Sequence, residues 1–210
     1  SKVKYKVFTA VQTEISADGR MTGEATVKCS GYAKRDRGTS WTKNKEEFKQ
    51  KFFSIPDMSV NLDDIAVNNI NSDSLPLEQK VKFNCTLNHS GEYTYFPVNI
   101  FSGIHKNPFI SEQRISDIEF GYLQDYTIVE NFIIPEGYVI DAIPENITLT
   151  LPDKSIVFSR FMAANENKLN VRMTVEFKNS FYPVDLYEDF REFYKKLFST
   201  LNEQVVIKKK

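Results

Sequence analysis

Residues 107–153, NPFISEQRISDIEFGYLQDYTIVENFIIPEGYVIDAIPENITLTLPD, are the stretch whose reading decides the fold. Pro108, Pro135, Pro144 and Pro152 punctuate it. Each lacks a backbone donor and has a fixed φ, so each marks a strand end or a turn. Between them lie three short apolar runs: Tyr126 to Ile134, Tyr138 to Ile143, and Ile147 to Leu151. Pro135-Glu136-Gly137 reads as a turn, with Gly137 supplying positive φ. Ile147, Leu149 and Leu151 alternate with Thr148 and Thr150, the pattern of a half-buried strand. Arg114 stands among Glu112, Asp117 and Glu119, which points to a structural ion pair pinning the crossing between two halves of the chain.

The same stretch carries a resemblance. NPFxxExR from Asn107 to Arg114, the step Phe120-Gly121-Tyr122, IPEGY from Ile134, AIP from Ala142 and LPD from Leu151 resemble the C-terminal region of bacterial transglutaminase-like proteins. The resemblance runs on to the closing NEQVVIKK and, more weakly, back to GYAKRD at 31–36. In that family a papain-like core lies between β-rich domains of unknown function. The resemblance therefore implies a fragment without its core: a non-catalytic accessory domain, with the transglutaminase-like core of the same polypeptide as partner. Such a domain would pack on that core, shape access to it, or contact other proteins. It also implies the periplasm or cell surface. The family's catalytic cysteine, histidine and aspartate have no matching motif here.

Working outward, Val3 to Ile15 and Met21 to Ala33 read as a hairpin across Asp18-Gly19. Gly23 and Gly31 share a face with Ala25 and Val27, which predicts a bulge or a close backbone approach. Lys34 to Arg37 reads as a solvated hairpin end. A helix is expected over 44–53, capped by Asn44 with Glu47, with Phe48 and Phe52 on one face. Met58 to Ile70 reads as a bulged strand or two short ones. Its Asn and Asp residues are turn chemistry, because the glycine and terminal glutamate of a calcium loop are missing. Val81–Leu87 and Glu92–Phe101 are expected to form a hairpin, as are Ile156–Met162 and Lys168–Lys178. A second helix is expected from Asp185, boxed by Glu188, and a last strand from Val205 to Lys208. The two Phe-rich helices, each after a long hairpin, raise a duplicated β-β-α-β unit.

The fold class expected is mainly β: antiparallel sheets in a sandwich-like packing with two short helices on them. Residues 1–106 and 107–210 form the two halves, as separate domains or around one core. With 27 Lys and Arg against 28 Asp and Glu, the chain has no footprint for nucleic acid. No apolar run is long enough to span a membrane.

Chemistry-bearing motifs are absent. Cys29 and Cys85 continue apolar alternations, as buried thiols or as a cross-strand disulfide. The two histidines, His89 and His105, have no zinc-site spacing, and there is no phosphate loop or nucleophile elbow. No cofactor, metal or catalytic residue is expected. The rival to an accessory domain is a glycan- or peptide-binding module that stacks ligands on Trp41, Tyr93 and Tyr95. An independent hydrolase would need a histidine beside a carboxylate and a nucleophile in one cleft.

Overall fold

A computed structural model describes residues 3–210. In chain order the elements are β1 (Tyr5–Ile15), β2 (Arg20–Gly31), α1 (Tyr32–Lys43), α2 (Lys45–Phe52), β3 (Val60–Leu62), β4 (Ala66–Asn68), β5 (Leu77–Thr86), β6 (Asn88–Ser90), β7 (Tyr93–Pro97) and β8 (Ile118–Glu119). Then come β9 (Gln124–Ile133), β10 (Tyr138–Ala142), β11 (Ile147–Thr150), β12 (Ile156–Asn165), β13 (Lys168–Phe177), β14 (Phe181–Tyr182), α3 (Tyr187–Leu201) and β15 (Gln204–Lys209).

The large sheet runs β11-β12-β13-β9-β1-β2-β5-β3, with β4 also paired to β5. Alternation puts one row of each long strand inward: Val7, Val11 and Ile15 on β1, and Leu169, Val171, Met173 and Val175 on β13. A smaller sheet, β10-β15-β7-β6, stacks on that inward face, where Phe96 meets Phe132 with ring centroids 4.9 Å apart. The architecture is therefore mainly β and sandwich-like. Among the described residues its pairs are antiparallel except one: β1 lies parallel to β9, from Tyr5↔Gln124 to Glu14↔Ile133. That pairing carries the sheet across the 106/107 boundary.

Gly23 and Gly31 show the close approach that their phase predicts. A Cβ on Gly23 would lie 2.6 Å from the Gln12 carbonyl oxygen, and one on Gly31, at φ 60°, 2.0 Å from that of Lys4. Asn44 caps α2 as its spacing predicts, accepting from the Glu46 and Glu47 amides at 3.0 and 3.2 Å. Residues 58–70 form two short strands, β3 and β4, on one edge of β5.

Several expectations are overturned. Residues 34–37 are not a hairpin end but part of α1, a third helix. It has no apolar stripe, and only Ala33 and Arg37 are buried along it, so periodicity does not reveal it. β5 and β7 are not a hairpin: β5 joins the large sheet, while β7 pairs with β6 and β15 in the small one. The Asp185 box does not form. A 3₁₀ turn over Val184–Leu186 leads into α3, and the Val184 amide donates to Asp117 Oδ1 at 2.8 Å. The duplication fails too, because β3 extends the large sheet whereas its counterpart β15 belongs to the small one. Cys29 and Cys85 are free and buried. In register Cys29 faces Leu77 and Cys85 faces Met21, eight residues apart along β5. That is about 27 Å at the rise of a strand, far beyond disulfide reach.

Candidate functional site

Five inward positions of the large sheet are polar among the described residues: Thr9, Thr13, Gln79, Glu130 and Arg160, all buried. Such groups are retained where they have partners. Two of them grip the 98–106 loop. Thr9 Oγ1 donates to the Phe101 carbonyl at 3.4 Å, and Glu130 Oε1 accepts from the Ile100 amide at 3.1 Å. The loop also closes on itself. Asn99 Nδ2 donates to the Ile104 carbonyl at 2.9 Å, and the Ile104 amide donates to Ser102 Oγ at 3.0 Å. Phe101, at φ 54°, is locked between Phe53 and Phe83.

The gripped loop presents His105 and Lys106 to a cleft of about 560 Å³ between α2, the inner faces of β9 and β13, and α3. Val175, Phe177, Leu197 and Phe198 make its apolar wall, and Tyr126 and Tyr194 edge it. Lys51 joins from α2. Neither cysteine lines it, nor does any Asp or Glu. His105 is half-buried, and neither ring nitrogen has a hydrogen-bond partner among the described residues. Burial, and secondarily the Arg37 charge, hold its pKa below the usual histidine value. Burial also pushes the phenols of Tyr126 and Tyr194 well up.

Arg37 lies behind the loop and is 1% exposed. Its Nη1 donates to Gln79 Oε1 at 3.1 Å, and its guanidinium carbon lies 4.3 Å from the centre of the Phe52 ring. Its Nη2 is 3.3 Å from where a Cβ on Gly103 would be, and its Nε has no partner. Gln79 also donates to Cys29 Sγ at 3.4 Å. Burial raises the Cys29 thiol pKa and pushes that of Cys85 up to about 11, so both are thiols at neutral pH.

The residues singled out in the sequence lie elsewhere. Arg114 makes no ion pair among the described residues. It donates instead to the carbonyls of Ser116 at 2.7 Å and Asp117 at 3.3 Å, bracing its own loop. Trp41 is half-buried, edge-on to Phe48 at 5.2 Å, with the Lys45 ammonium 4.9 Å from its ring centre. Tyr93 and Tyr95 share one face of β7, where the Lys208 ammonium covers Tyr93 at 5.3 Å. No ring contact joins these three aromatics among the described residues. His89 is exposed on β6. No cluster of three His, Cys, Asp or Glu side chains that could hold a metal occurs among the described residues. No described helix is long and apolar enough to cross a membrane.

Sequence reasoning missed Arg37, Glu130 and Arg160. For the last two a signal existed: each interrupts an apolar alternation in phase, between Ile128 and Phe132 or between Phe158 and Met162. Arg37 had none, because its helix was not legible.

No curated protein and no solved structure matches the chain. A family model does, described as a domain of unknown function with a solved structure, and it spans residues 92–207. Those residues run from just before β7 into β15 and supply all of the cleft lining except Gln50, Lys51 and Ser54. Since the match covers more than half of the 210 residues, the chain belongs to this family of domains of unknown function, DUF3858.

Proposed function

We propose that the chain is a non-catalytic accessory domain that packs against a neighbouring domain. The resemblance described above makes that neighbour a transglutaminase-like core of the same polypeptide, at the periplasm or cell surface, with this chain shaping access to it. One observation carries the reading. Ile110, Ile115 and Phe181 are 81%, 100% and 51% exposed, and Leu186 is exposed beside them. They stand on one corner, held together by the Tyr187 hydroxyl on the Ser111 carbonyl at 2.8 Å, by Val184 on Asp117, and by the pairing of Phe181 with Glu119. Apolar side chains grouped this way on a braced corner are the kind of surface that partners cover.

Hydrogen exchange tests it. Amides 108–119 and 181–187 are compared in this chain alone and in the product of its full reading frame. Slowing of at least about tenfold in the longer protein, confined to that corner, is expected. Equal exchange, or a reading frame that encodes no such core, overturns the proposal.

A further inference from the structure

The cleft behind the gripped loop has a charge balance that the chain as a whole lacks. Acidic and basic residues are nearly equal in number overall, 28 against 27. Yet Lys51 and Lys106 line the cleft and no carboxylate does. Lys51 is shared with Asp36 at 3.5 Å, whereas Lys106 is exposed and has no ion-pair partner among the described residues. Behind Gly103, the Arg37 guanidinium is buried with no carboxylate within ion-pair distance among the described residues. A buried cation without a counter-charge is costly, and one amide oxygen and one ring face offset only part of that cost. His105 adds two nitrogens that nothing bonds. The remaining lining is largely apolar, and a volume of about 560 Å³ is within the range of small-molecule sites.

We infer that this cleft binds a small amphipathic carboxylate, its anionic group at Lys106 and His105 in the field of Arg37, its apolar body along Phe177 and Phe198. A neutral apolar ligand would leave the cations uncompensated. A bare inorganic anion would leave the apolar wall wet. The inference is independent of what covers the Ile110–Phe181 corner.

The full chain, with histidine rings labelled with nitrogen-15, is titrated with octanoate, with octan-1-ol and with acetate. Octanoate is expected to shift the His105 signals saturably and to leave His89 unmoved. Octan-1-ol and acetate should each bind at least about tenfold more weakly. Lys106→Ala removes an exposed cation that has no structural partner. It should weaken octanoate roughly tenfold and leave octan-1-ol unchanged. Equal affinity for octanoate and octan-1-ol, absence of saturation, or an unaltered octanoate affinity in Lys106→Ala overturns the inference.

Discussion

Glu130 shows how much one in-phase polar residue decides. It is fully buried at the centre of the inner face, one oxygen on the Ile100 amide and the other without a partner. Burial holds its pKa well above the usual carboxylate value, and the Ile100 hydrogen bond pulls back only partly. The folded-state pKa therefore exceeds the unfolded one. The stability this linkage contributes is complete below about pH 4.3 and is lost as pH rises through the folded pKa. Glu130→Gln keeps an acceptor for Ile100 and cannot ionise. Urea unfolding at pH 4.5 and pH 8 should show the variant gaining on the parent as pH rises, by at most about 1.4 kcal/mol per pH unit. Identical pH profiles would contradict the assignment. His105 contributes with the opposite sign. Its folded pKa is depressed, so its contribution is lost as pH falls below about 6.5, in parent and variant alike.

Arg160 acts between elements. Its side chain is 2% exposed on β12, where Nη1 donates to the Thr200 carbonyl near the end of α3 at 2.7 Å. Nε and Nη2 both donate to the Glu145 carbonyl, at 3.2 and 2.8 Å, and Nη2 also reaches Glu203 Oε2 at 2.6 Å. One guanidinium thus ties the sheet to a helix C-terminus, where a cation is favoured, and to the approach to β11. Arg160→Met should cost about 3 kcal/mol, because it strands the buried Thr200 carbonyl and the partly buried Glu145 carbonyl. Glu203→Gln, at a half-exposed carboxylate, should cost under about 1 kcal/mol. Chemical denaturation of both variants checks this, and equal losses would place the weight on the ion pair instead of the carbonyls. At this scale the amphipathic helices and the strands with clean alternation were legible. α1 was not, because its inward positions are an alanine and an arginine stem and its other residues are polar or half-buried.

Across the whole molecule, the parallel pairing of β1 with β9 joins strands more than a hundred residues apart, and one core cluster runs through both halves. Trp41 fluorescence, which reports the first half, and far-ultraviolet circular dichroism, which reports all strands, should therefore give coincident two-state urea transitions. Separate midpoints would show two independently stable halves. The sequence by itself determined most of the long strands, where most of them turn, and which apolar side chains face inward, because alternation, proline and glycine act within a few residues. Only the tertiary structure decided that β5 and β7 belong to different sheets, that β1 meets β9, and that Arg37 lies buried behind the loop that brings His105 and Lys106 to one cleft. Those outcomes depend on which distant edges and faces bury each other, and no local pattern encodes that choice.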